Sequence, residues 1–255
     1  MNSGIDNSGI SISDFRFTTQ MGRPPLVAEL LYRCSHDMCS PVKTMDGLIS
    51  LLENYNDKSL ENDCINLLAV SLDKLEALLD KVDQIRYNEE NLPGDELISL
   101  PDLVAGVTSR FEREIYENGL VVSVNIDQKF SFSSDFFRIH LSLTHLFSNA
   151  IMFSDEKKKN RTIEISVIAK ETGCFITVED NGIGMERSVH EKLFEPFFRG
   201  SWKSNGAGLG LFVANAMIKK LGGALSVDSE TGRGSVFTLW IPDNGERRRD
   251  HDWKD

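Results

Sequence analysis

The strongest constraint on this chain is a pair of apolar stripes at helical spacing before residue 90. Val27, Leu31, Cys34, Met38, Val42, Met45, Leu48 and Leu52 recur at intervals of three and four, which puts them on one helix face. The Asn54–Asp57 region is a polar turn. Cys64, Leu68, Leu72, Leu75, Leu79, Val82 and Ile85 then repeat the pattern. Two long amphipathic helices joined by a short turn make an antiparallel hairpin. A lone hairpin cannot bury both stripes, so a dimeric four-helix bundle is the expected resolution. The alternative is a hairpin that packs only against the rest of its own chain.

The remaining chain has a different texture. Asn91-Leu92-Pro93-Gly94 reads as a linker. Pro101–Asn118 reads as a helix with Pro101 in its first turn. Leu120–Ile126 alternates as a strand, and Phe130–Phe132 is a candidate to pair with it. Ser134–Phe153 reads as a helix that Ser134 or Asp135 can cap. Thr162–Ala169 and Cys174–Glu179 form a β-hairpin pattern. A long irregular segment from Asp180 leads to a helix over Ala207–Leu221 that stops at Gly222-Gly223. Ala224–Ser229 and Val236–Ile241 close the pattern as a strand pair around Thr231-Gly232. The fold class is therefore α+β: a helical hairpin over residues 26–90, then a mixed sheet with helices on one face over 95–243. Residues 1–25 read as a flexible tail and residues 244–255 as a charged one.

Composition narrows the function classes. The chain has 255 residues and a net charge of −11, whereas duplex binding leans on a basic surface. No apolar run approaches the roughly 20 residues that span a bilayer, and the polar start lacks a signal-peptide pattern. Cys34, Cys39, Cys64 and Cys174 are scattered without a CxxC pair, as in a reduced cytoplasmic protein.

The chemistry sits in glycine-rich segments. Asp180-Asn181-Gly182-Ile183-Gly184-Met185 directly follows a strand; its glycines permit close backbone approach, and its carboxylate can accept a hydrogen bond from a ligand amine. Gly206-Ala207-Gly208-Leu209-Gly210-Leu211 enters a helix, where backbone amides suit phosphates. It is not a Walker A sequence, since no GK[ST] follows. Between them lies the cluster Leu193-Phe194-Glu195-Pro196-Phe197-Phe198-Arg199-Gly200. Upstream, Asn149 offers an amide oxygen to a hydrated Mg²⁺ held mainly by phosphates. On the first helix His36 lies two residues from both Cys34 and Met38. At ~100° per residue it points away from the stripe, towards solvent.

The order of these motifs resembles that of two-component histidine protein kinases. Asn149-Ala150, Asp180–Gly184, Phe194–Arg199 and Gly206–Gly210 look like their N, G1, F and G2 boxes, and Gly232–Phe237 is similar to their closing glycine motif. Ser35-His36-Asp37-Met38-Cys39-Ser40-Pro41 resembles the H box. The resemblance spans roughly residues 26–243. It implies a dimerisation and histidine-phosphotransfer hairpin followed by an α/β sandwich ATP-binding domain of the Bergerat, or GHKL, type. It also implies ATP and Mg²⁺ as ligands, a homodimer, a response-regulator receiver domain as partner, and a separate sensor protein as a candidate source of the signal.

The residue roles follow from that resemblance. His36 is the phosphoryl acceptor and Asp37 orients it and takes a proton. Ser40 stands where the family often carries Thr or Asn to place a water for dephosphorylation. Asp180 binds the adenine amine, Gly182 and Gly184 shape its pocket, and Ser235 adds a polar contact. Gly206, Gly208 and Gly210 hold the lid against the phosphates, and Asn149 holds Mg²⁺. Two positions depart from the pattern. His145 replaces the usual first Asn of the N box, and Met152 replaces a usual Lys or Arg. Lys157–Lys159 or Lys203 are candidates to supply the missing cation. The departures motivate a rival reading, a phosphotransfer or scaffold protein whose His36 receives phosphate from another kinase. A chaperone or mismatch-repair ATPase with a related fold has no need of the histidine hairpin.

Overall fold

The computed structural model describes residues 26–54, 58–200 and 207–243. The first helix, α1 (Leu26–Asn54), runs through Pro41, and the second, α2 (Lys58–Glu90), returns beside it. Pro41 has no N–H to donate to the carbonyl of Asp37, four residues back. Leu48, Cys64 and Leu78 are buried along the hairpin. Val42, Leu72 and Leu79, members of the predicted stripes, are each about half exposed in a single chain.

The second unit is a five-stranded sheet in the order β2-β4-β5-β7-β6. Its strands are β2 (Leu120–Gln128), β4 (Arg161–Lys170), β5 (Gly173–Asp180), β6 (Ala224–Glu230) and β7 (Gly234–Pro242). β2 and β4 are parallel, and the other pairs are antiparallel. A parallel neighbour needs a crossover, and helix α5 (Phe136–Met152) provides it. Strand alternation sends Ile163, Ile165 and Val167 of β4 to the same side as Cys174, Ile176 and Val178 of β5 and Phe237, Leu239 and Ile241 of β7. There they meet α3 (Leu100–Ser109), α5 and α6 (Gly210–Lys220), whose Leu103, Val107, Leu143, Phe147, Ala214 and Ile218 complete one core.

Several local expectations change. The predicted Pro101–Asn118 helix is two helices, α3 and α4 (Glu112–Glu117), broken at Arg110-Phe111. The Phe111 ring turns in to pack on Phe147, with centroids 5.7 Å apart. Ser99 caps α3, with Pro101 in the first turn as expected. The Phe130–Phe132 segment does not pair with β2. Phe132 is buried in the core, its carbonyl accepts the Ile98 amide at 2.8 Å, and β3 (Ser133–Ser134) pairs with β1 (Glu96–Leu97) just after the linker. Asp135, not Ser134, caps α5 through the Arg138 amide at 2.8 Å. The last helix begins at Gly210 rather than Ala207.

The linker is fastened. Arg138 is fully buried on α5, and its guanidinium donates to the side chain of Asn88 at 3.0 Å and the carbonyl of Asn91 at 2.8 Å. It also pairs with Asp135 at 2.5 Å. Asp135 in turn accepts the Gly94 amide at 2.8 Å. The end of α2 and the chain leaving it are thus bolted to the start of α5.

Candidate active site

The alternation that builds the core also delivers the site. Asp180 is the last residue of the inward-facing set on β5, so its carboxylate lands on the helix side of the sheet. In the β5–β7 register its partner is Ser235, which faces the same way. On α5, His145 and Asn149 are four residues apart and Met152 is seven from His145, so all three share a face. These faces border one cavity of about 460 Å³.

Asp180 is buried and its Oδ1 accepts the Gly182 amide at 2.7 Å. Burial pushes this carboxyl up to about 6, against the pull of hydrogen bonds from Gly182 and Ser235. A side chain at Gly182 would overlap the Phe153 carbonyl and sit 2.7 Å from the Asp180 carboxylate. Gly184 is left-handed, with φ 61°, and packs its α-carbon against the Glu230 carbonyl. Ser235 lies 3.0 Å from the Ser229 hydroxyl, which also accepts the Met185 amide at 2.9 Å. The two glycine-bearing turns are thereby tied together at one end of the cavity.

Lys158 tightens the same junction. Its ammonium donates to the carbonyls of Asn181 at 2.5 Å, Gly232 at 2.8 Å and Gly182 at 3.3 Å. None of Lys157, Lys158 and Lys159 lines the cavity. They do not supply the missing cation, because Lys158 is committed to carbonyls and its two neighbours are exposed. Lys203, the other candidate, lies outside the described residues, as does Gly206.

At the other end, Gly208, Leu209 and Gly210 line the cavity where α6 begins. Gly208 has φ 70°, and its carbonyl accepts the Phe197 amide at 3.0 Å. A side chain there would meet the Phe198 carbonyl at 2.7 Å. α6 has no side-chain N-cap, so its first amides are available to an anion. Gly210 abuts His145, with an added Cβ falling 3.7 Å from Nδ1. The aromatic cluster between the glycine motifs reaches across to the hairpin. Phe197 and Leu209 pack with Leu78, Met38 and Val82.

The hairpin contributes to the cavity wall. Asp37, Ser40 and Pro41 of α1 line it, as do Lys74, Leu78 and Lys81 of α2. His36 lies on α1 next to Asp37, and its imidazole is outside the described atoms. Sequence reasoning missed the α2 contribution. Lys74, Leu78 and Lys81 follow a spacing of four and three, a second stripe beside the apolar one. The N-box departure also finds its partner there. His145 is buried; its Nε2 lies 3.0 Å from the Gln84 Oε1, and its Nδ1 lies 3.2 Å from the Lys81 ammonium. An amide oxygen only accepts, so Nε2 carries the proton towards Gln84, and the Lys81 ammonium, also 3.3 Å from Nε2, rests beside both ring nitrogens. Burial, and then Lys81, hold the imidazole well below its usual pKa, so it is neutral.

These features fit a nucleotide. The buried carboxylate and glycine cradle suit a planar amine-bearing base, and the α6 amides suit phosphates. Among the described residues no cluster of three or more His, Cys, Asp or Glu side chains can hold a metal. Asn149, which faces the cavity, would be a ligand for an ion held mainly by phosphate oxygens.

Comparison with known proteins agrees. Residues 134–245 match the family described as histidine kinase-, DNA gyrase B-, and HSP90-like ATPase. The chain is 29% identical over 84% of its length to the alginate biosynthesis sensor protein KinB of Pseudomonas aeruginosa, spanning 37% of that protein. It is 28% identical over 84% of its length to the histidine protein kinase SaeS of Staphylococcus aureus, spanning 63% of it. The chain thus covers less than two thirds of these relatives. Its fold matches the histidine kinase ThkA, solved in complex with the response regulator protein TrrA, with a TM-score of 0.70, 24% identity and coverage of 88% of this chain and 64% of that one. No helix among the described residues is long and apolar enough to cross a membrane. Residues 134–245 thus match the histidine kinase-, DNA gyrase B- and HSP90-like ATPase family, and the chain as a whole, hairpin included, is similar to sensor histidine kinases.

Proposed function

We propose that the chain uses Mg-ATP to phosphorylate His36 and passes the phosphoryl group to an aspartate of a response regulator. The observation that carries this reading is a shared cavity. Asn149, Asp180 and the glycine motifs line one side, and Asp37 and Ser40, neighbours of His36 on α1, line another. A neutral imidazole nitrogen attacks the γ-phosphorus as ADP leaves, and Asp37 accepts a proton from the second ring nitrogen. Asp180 receives the adenine amine, and the α6 amides hold the phosphates. Mg²⁺ on Asn149 supplies charge neutralisation; the rest is positioning. Ser40 is exposed on α1, where its hydroxyl can place a water for removing phosphate from the regulator. The complex of ThkA with its regulator supports a receiver domain as partner.

A homodimer belongs to the same proposal. Val42 and Ile49 on α1, and Ile65, Leu72 and Leu79 on α2, recur every seven residues and are each about half exposed. A heptad seam of this kind is covered by pairing with a second hairpin.

The test is incubation of the purified protein with γ-labelled ATP and Mg²⁺, beside His36→Ala and Asn149→Ala. Acid-labile label that is lost in both variants is the expected result. Label that persists in His36→Ala overturns the site. The neutral His145 and Met152 on the cavity face of α5 favour one rival, a relay protein. Its signature is no label from ATP but uptake from a phosphorylated regulator.

A further inference from the structure

α5 presents only uncharged groups to the cavity: His145, held neutral, with Ser148, Asn149, Met152 and Phe153. The cationic lining among the described residues comes from elsewhere, as Lys74 and Lys81 of α2 and Arg199 after the aromatic cluster. Lys81 differs from an ordinary surface lysine. It is half-buried, and among the described residues no carboxylate stands within ion-pair distance of its ammonium. Its contact is a neutral imidazole, with Nδ1 at 3.2 Å and Nε2 at 3.3 Å. The charge of the neighbouring Asp80 favours the ammonium without pairing with it, and an ammonium turned into a cavity with no paired carboxylate gains when an anion joins it there.

We propose that Lys81 is a phosphate-binding residue of the nucleotide cavity, delivered by the hairpin and held in place by His145. This rests on the nucleotide reading above. His145 acts as a positioning residue. Gln84 orients its ring, and the two ring nitrogens stand beside the ammonium at the cavity wall until a polyphosphate draws it away. Lys81 thereby takes the place of a cation that α5 lacks at Met152. A phosphate contact made from α2 also makes nucleotide binding depend on how the hairpin sits against the ATPase domain.

The test is calorimetric titration of the full chain with Mg-ATP and, separately, with adenosine. Lys81→Met keeps the apolar stem and removes the charge. It is expected to weaken Mg-ATP about tenfold or more, the scale of a charge-assisted hydrogen bond, and adenosine less than twofold. Lys81→Arg should retain most of the ATP affinity. Adding Met152→Lys to Lys81→Met should restore it, since residue 152 lines the same cavity. A second measurement on the wild type needs no variant to fold: Mg-ATP, but not adenosine, should slow reductive methylation of Lys81. Equal losses for ATP and adenosine, or an unchanged ATP affinity, would overturn the assignment. A wild-type chain that binds neither ligand would instead overturn the nucleotide reading itself.

Discussion

The guanidinium of Arg138 reaches out of its own helix to the carbonyl of Asn91, 2.8 Å away, and so binds the linker to the ATPase domain. Its other arms hold Asn88 at 3.0 Å and Asp135 at 2.5 Å, with the Tyr87 ring 5.2 Å below. The group is fully buried, so its removal strands the Asp135 carboxylate without its partner. Arg138→Met should cost about 3–5 kcal/mol, read as a lower urea midpoint for the whole chain.

Lys158, which ties the glycine-bearing turns together, and Lys81, which lines the cavity, should behave differently. Lys158 spends its ammonium on the carbonyls of Asn181, Gly182 and Gly232. Lys158→Met should lower stability by about 1–3 kcal/mol and weaken Mg-ATP and adenosine by the same factor. A loss confined to ATP would show that Lys158 reaches phosphate after all. Titrations with both ligands decide it.

Asp180 sets a pH dependence. Its folded pKa is pushed up to about 6 by burial, from 3.8 in the unfolded chain. Between those values the folded chain holds the extra proton, so stability of the ligand-free protein falls as pH rises from about 4 to 6. Asp180→Asn removes that fall. It should match the wild type near pH 4 and exceed it by up to about 3 kcal/mol at pH 7.5, while losing adenine recognition. Thermal unfolding at the two pH values measures the difference.

Gly232 and Gly234 are both left-handed, with φ 81° and 124°. A Cβ at Gly232 meets open space, whereas one at Gly234 overlaps the Asp180 carbonyl and lies 2.7 Å from the Asn181 α-carbon. Gly232→Ala should cost only the backbone penalty, about 1–2 kcal/mol. Gly234→Ala should cost clearly more and weaken nucleotide binding, because the strand end that carries Asp180 must move. Melting temperatures and ATP titrations of the pair test this.

Much of this was legible in the sequence because it is local. The apolar period marks both hairpin helices, and alternation marks β4, β5 and β7. The strand that ends in Asp180 already dictates which way that carboxylate faces. Other features depend on contacts far apart in the chain. The break at Phe111 is made by Phe147, and the Phe132 segment is claimed by the linker strand rather than by β2. Nothing near Arg138 in sequence announces the linker it holds. The departure at His145 reads as a defect along α5 alone. Its meaning lies in Lys81 and Gln84, more than sixty residues earlier.

Asp37 and Ser40 border the nucleotide cavity of the same polypeptide that carries them. On the proposed function each chain would then carry donor cavity and acceptor helix together. Mixing His36→Ala chains with Asn149→Ala chains should yield no label, since neither can complete the other. If two such chains pair as proposed, mixed dimers in a cell carrying one intact and one damaged copy would keep half their output, and the damaged copy would not act as a dominant inhibitor.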